Sequence, residues 1–137
     1  YYMKLKGLFY GLFYEMLAGN YIITTDAEQN RNLLSVKKVL DYISAHYREP
    51  LSVKELSGLS NYSEFYFMKL FKQYTGKTAA AYLNDYRLEK AKSLLLHTDV
   101  SVTDIALDVG FNNTSYFIKK FQEVNQISPH KFRKKMS

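Results

Sequence analysis

The sequence predicts an all-α protein, with two helix-turn-helix subdomains joined by a long central helix and an extra amphipathic helix at the N-terminus. Three observations predict it. Apolar residues recur at helical spacing along most of the 137 residues, and no alternation lasts long enough to require a strand. Helix-start and helix-stop residues punctuate that pattern at short intervals. The chain also repeats itself, with an offset of 49 residues that becomes 50 after one insertion.

The elements follow in order. Leu5, Leu8, Phe9, Leu12, Phe13, Met16 and Leu17 mark a helix over 1–18, ended by Gly19 and Asn20. Lys4, Lys6 and Glu15 interrupt it, whereas a membrane span needs about 20 apolar residues. It reads as an amphipathic helix that packs on something, in preference to a signal peptide. Residues 20–30 read as a linker, which sets 1–18 apart from the main domain over 31–137. Leu33, Val36, Val39, Leu40 and Ile43 mark the next helix, which stops before Pro50. Ser52-Val-Lys-Glu55 is a capping box, in which serine caps the helix start and the glutamate reaches back. A further helix runs from Ser63 to Tyr74, and Gly76 supplies the left-handed residue that ends it. Thr78 caps a long helix to about His97.

Ser101-Val-Thr-Asp104 is a second capping box. Ile105 answers Leu56, Ala106 answers Ser57, and Gly110 answers Asn61; both of the last two tolerate the left-handed conformation of a tight turn. Phe67-Met-Lys-Leu-Phe71 then corresponds to Phe117-Ile-Lys-Lys-Phe121, Thr78-Ala79 to Ser128-Pro129, and Tyr82 to Phe132. Each copy is a short helix, a tight turn and a second helix. The first unit covers about 52–75, the connecting helix about 79–97 and the second unit about 101–125.

Stepping about 100° per residue separates the faces of each second helix. Phe67, Leu70, Phe71 and Tyr74 fall together, opposite Glu64, Phe65, Met68, Lys69 and Lys72. In the second copy Phe117, Phe121 and Val124 point inward, and Thr114, Ser115, Ile118, Lys119 and Gln122 outward. The same mixed apolar and basic outer face in both copies suits a contact surface.

Charge indicates the partner. Residues 1–30 carry two lysines against three acids, and residues 31–137 carry seventeen basic against ten acidic groups. The repeated part could therefore attract a polyanion. An α-helix fits the major groove of duplex DNA with its N-terminal half at the base edges. That makes Phe65, Met68, Lys69, Thr114, Ser115, Ile118 and Lys119 candidate base readers. The central helix spans about 28 Å at 1.5 Å per residue, and successive major grooves on one side lie about 34 Å apart. One chain could place a helix in each, with some bending of an asymmetric site.

Other classes fit less well. His46, His97 and His130 are scattered, with no thiol and no paired acid and base at a useful spacing, so no enzyme is expected. No phosphate-binding glycine motif, cofactor site or metal site is expected, and the absence of cysteine suits a reducing cytoplasm. A helical protein-interaction repeat would explain the repetition but not the turn signals or the concentrated positive charge.

These residues resemble the AraC/XylS family of bacterial transcription regulators over about 36–135. The resemblance rests on Phe71-Lys-Gln-Tyr-Thr-Gly76, Tyr82-Leu83 and Arg87-Leu88-x-x-Ala91-x-x-Leu94-Leu95. It continues through Ile105-Ala106-x-x-x-Gly110-Phe111, Ser115-Tyr116-Phe117, Phe121 and Ser128-Pro129-x-x-Phe132-Arg133. It implies a domain of about seven helices at the C-terminus of a larger regulator, whose missing part senses a small effector. It places base-facing positions on the same seven residues. By the same resemblance residues 1–30 are the end of that missing N-terminal domain plus the linker. The missing domain and the helix over 1–18 could make the full-length protein a homodimer, or that helix could fold back. RNA polymerase could be a further partner, and activation or repression is left open. Ala79 stands where the first copy often has proline, and Gln126 where the second usually has glycine. A left-handed Gln126 would cost about 1–2 kcal/mol, which shifts that expectation to Asn125. Lys120 takes the place of Leu70, with its stem expected on the core and its ammonium outward.

Phosphate contacts are expected at the caps Ser52, Ser63, Ser101 and Asn113, where free helix N–H groups favour anions. Lys54, Lys72, Lys119 and Lys120 are further candidates, with the tail Lys131, Arg133, Lys134 and Lys135.

Overall fold

Residues 27–136 are described by the computed structural model, and among them every regular element is helical. The helix predicted over 1–18 and most of the predicted linker lie outside the described residues. α1 (Ala27–His46) begins inside that linker. Ala27, Glu28 and Gln29 are good helix formers, and Glu28 lies in the first turn, where the helix dipole favours an acid. That turn is exposed, so it carries no apolar period by which the sequence could announce it.

α2 (Val53–Ser60) and α3 (Glu64–Thr75) form the first unit. Ser52 Oγ accepts from Glu55 N–H at 3.1 Å, and Ser63 Oγ from Tyr66 N–H at 3.2 Å. Asn61 ends α2 at φ 62°, and Gly76 ends α3 at φ 80°. α4 (Ala79–His97) is capped by Thr78, whose Oγ1 accepts from Ala81 N–H at 3.1 Å. α5 (Val102–Asp108) and α6 (Thr114–Asn125) form the second unit, and α7 (Pro129–Met136) closes it. Ser101 Oγ accepts from Asp104 N–H at 3.1 Å. Each capping box is formed by its serine. The returning carboxylate bond is not made, and Glu55 and Asp104 stay exposed to water instead.

The end of α6 corrects one expectation. Gln126, not Asn125, takes the left-handed conformation, at φ 69°. α3 and α6 are both 12 residues long, so the left-handed residue after α6 falls 50 positions beyond Gly76. The packing repeat overrides the local preference for asparagine. Gln126 Nε2 donates to the Glu123 carbonyl at 3.1 Å, which offsets part of the cost, and Asn125 Nδ2 donates to the Phe121 carbonyl at 3.1 Å.

The core is double. Val36, Val39, Leu40, Ile43, Leu56, Phe67, Leu70 and Phe71 form the first cluster with Ala79, Tyr82 and Leu83 of α4. Leu88, Ala91 and Leu95 of the same helix join Ile105, Phe117, Phe121 and Phe132 in the second. α4 is therefore apolar around its circumference because opposite ends of it serve different cores. Among the described residues no helix is long and apolar enough to cross a membrane.

Candidate nucleic-acid interface

α3 is fixed from within by Phe67 and Phe71, whose rings lie 5.7 Å apart and are both buried. Burying two aromatic side chains on one side leaves the opposite side to solvent. There Phe65 is 78% and Met68 45% exposed, with Lys69 and Lys72 beside them. Tyr62 and Tyr66 stack edge to face at 4.8 Å at the start of α3. Tyr62 also donates to buried Asn32 Oδ1 at 2.5 Å, which ties the α2–α3 turn to α1.

α6 repeats the arrangement. Phe117 and Phe121 are buried 5.8 Å apart, and Asn113 Oδ1 caps the helix by accepting from Tyr116 N–H at 2.9 Å. Ser115, Lys119 and Gln122 are exposed as expected. Thr114 and Ile118 are not fully outward: both are half-buried, and Ile118 packs against the second core. The cause lies at Lys120. In α3 the corresponding Leu70 widens the buried arc on the side away from Met68. With lysine there, the buried arc of α6 is narrower and centred nearer Ile118, counting about 100° per residue.

Lys120 is half-buried. Its ammonium sits 5.5 Å from the centre of the Tyr116 ring and 3.4 Å from Glu123 Oε2, so it is already satisfied within the protein. Among the described residues Lys54, Lys69, Lys72 and Lys119 are exposed and make no ion pair. Arg133 corrects the reading of the tail as free positive charge. Its guanidinium turns inward and donates to the Leu95 and Thr98 carbonyls, each at 3.1 Å, which satisfies carbonyls at the end of α4.

In the sequence Arg87 stands out only as part of the run Arg87-Leu88-x-x-Ala91. In the structure it is buried where α4 passes from one core to the other, and burial holds its guanidinium below the usual pKa. Asn84, also mid-α4, lies 3.4 Å from the Tyr116 hydroxyl and so touches the first turn of α6. Neither contact has a local sequence signature, because each joins residues more than thirty apart. Among the described residues no three His, Asp or Glu side chains gather as a metal site.

The arrangement has known counterparts. A family model described as a helix-turn-helix domain matches residues 56–135. The regulatory protein PocR of Salmonella typhimurium is 38% identical over 102 residues, 74% of this chain and 34% of PocR. The chain spans about a third of the length of PocR and of a Bacillus subtilis regulator, and 14% of the Staphylococcus aureus regulators that it also matches. An AraC-type DNA-binding-domain regulator from Chromobacterium violaceum superposes with a TM-score of 0.70 at 27% identity, covering 76% of this chain and 93% of that one. The DNA-binding domain of AdpA, solved in complex with a target DNA, gives a TM-score of 0.70 at 25% identity, covering 73% and 90%.

Proposed function

The chain belongs to the AraC/XylS family of helix-turn-helix transcriptional regulators, and on that premise we propose that it reads duplex DNA with α3 and α6 in successive major grooves. In this reading it regulates transcription under the control of a sensor domain outside the chain. One observation carries the proposal: two helices on the same buried scaffold, at either end of a 19-residue rod, both keep an exposed outer face with unpaired lysines. The complex of AdpA with its target DNA supports it by likeness.

The roles follow from chemistry. Lys69 and Lys119 donate to guanine O6 and N7, and Phe65 and Met68 contact thymine methyls. Thr114 and Ser115 pair with bases or phosphates. Ile118 contributes less, because half of it belongs to the core. Lys54, Lys72 and the N-termini capped by Ser52, Ser63, Ser101 and Asn113 hold phosphates. Lys120 reaches a phosphate only by leaving Glu123. Homodimerisation through residues 1–18 and contact with RNA polymerase belong to the same proposal.

Titration with duplex DNA at two salt concentrations tests it. About six phosphate contacts predict a loss of roughly 10³ in affinity between 50 and 200 mM salt. Affinity indifferent to salt overturns the reading and favours a protein partner for the exposed Phe65 face.

A further inference from the structure

We propose that Arg87 is the residue that fixes the spacing of the two reading helices, by clamping the first helix-turn-helix unit to the second beside α4. This rests on the DNA-binding reading above. The first core takes its last buried apolar side chain of α4 from Leu83, and the second its first from Leu88. Arg87 lies in that short interval. Its Nε donates to the Tyr47 carbonyl at 2.7 Å and its Nη2 to the Glu49 carbonyl at 2.8 Å, both in the segment that joins α1 to α2. On its other side the guanidinium carbon is 5.9 Å from the centre of the Phe111 ring, in the turn between α5 and α6. A Cβ added to Gly110 would lie 2.6 Å from Arg87 Nε and 2.7 Å from the Tyr47 oxygen. The turn of the second unit is thus pressed directly on the group that holds the first. Tyr47 packs against both cores at the same place.

The chemistry suits a spacer. A helix alone fixes distance along its axis, and long helices bend. A second connection off the axis braces the joint. The planar guanidinium can reach two carbonyls at once, which a lysine ammonium does less well. Arg87 is only 8% exposed and its two hydrogen bonds go to neutral carbonyls. An apolar side chain of similar length would avoid the cost of burying a charge but would leave the Tyr47 and Glu49 carbonyls without these donors. Arginine here makes sense as a geometric constraint.

The test uses this chain with Arg87→Met, Arg87→Lys and Gly110→Ala. The target is a duplex selected for binding, presented with its two half-sites at native spacing, with one base pair inserted between them, and as a single half-site. For the unaltered chain, two half-sites should bind about 100-fold better than one. One inserted base pair should cost about 10-fold or more, because the duplex must be twisted back into register. R87M and R87K should bind the single half-site as the unaltered chain does, yet lose no more than about 3-fold on insertion. G110A disturbs the joint from the opposite side and should relax spacing likewise, and R87K, which keeps a cationic donor beside the carbonyls, covers a failure of R87M or G110A to fold. Variants that fold and remain as strict about spacing as the unaltered chain overturn the clamp and leave the DNA reading intact. An unaltered chain that binds two half-sites no better than one overturns the DNA reading itself.

Discussion

The two helix-turn-helix units share their inner faces and differ in their outer ones. Phe67 and Phe71 recur as Phe117 and Phe121 at nearly the same ring separation, and both helices are 12 residues long with a side-chain cap at one end and a left-handed residue at the other. Outside, α3 shows Phe65 and Met68, while α6 shows Ser115 and Lys119 with Thr114 and Ile118 partly withdrawn. Packing fixes the first set, since a changed volume in a close-packed core is felt at once. Nothing in the fold fixes the second. The scaffold is therefore duplicated and the outer surface is not, which suits the asymmetric target of the proposed reading.

The largest effects should test whether the scaffolds are equivalent. Phe71→Ala and Phe121→Ala should each cost about 3–5 kcal/mol, read by urea denaturation with circular dichroism. A cheap loss at one and a severe loss at the other would break the equivalence. The turns should differ next. Gly110 sits at φ 110° against Arg87, whereas Asn61 at φ 62° ends its helix in open left-handed geometry. Gly110→Ala should cost about 2–4 kcal/mol, while Asn61→Gly should stay within about 1 kcal/mol, in the same denaturation assay.

The outer faces come third. Met68→Ala and Lys119→Ala should each cost about 1–3 kcal/mol in binding and relax preference at one base position, measured by competition among duplexes differing at that position. Lys72→Ala should instead weaken all sequences alike and lower the salt slope by about 1. The smallest effect concerns the helix ends. Gln126→Gly should stabilise by about 0.5–1 kcal/mol, because it removes left-handed strain but adds freedom to the unfolded chain. A loss of stability there would mean that the side-chain bond to Glu123 outweighs the strain.

Much of this was legible in the sequence because it is periodic. The paired phenylalanines, the serine and asparagine caps and Gly76 are local signals, and the repeat ties them into two units. What escaped is either exposed or long-range. The first turn of α1 is exposed, so no apolar period marks it. Residue type points away from Gln126, although the offset from Gly76 points to it. Helical angle places Ile118 outward, and its shift toward the core goes with the replacement of Leu70 by Lys120. Arg87 and Arg133 look like ordinary surface charge until their carbonyl partners, 35 to 40 residues away, are known. The seven candidate base readers follow from helical angle, and five of them are well exposed: Phe65, Met68, Lys69, Ser115 and Lys119. Which base each one reads depends on the DNA.

Selection of bound sites from random duplexes probes the paired-helix account most directly. It should return two dissimilar motifs in fixed order, with centres about 10–10.5 base pairs apart. A single short motif with unconstrained flanks would contradict it, and so would half-sites at variable separation.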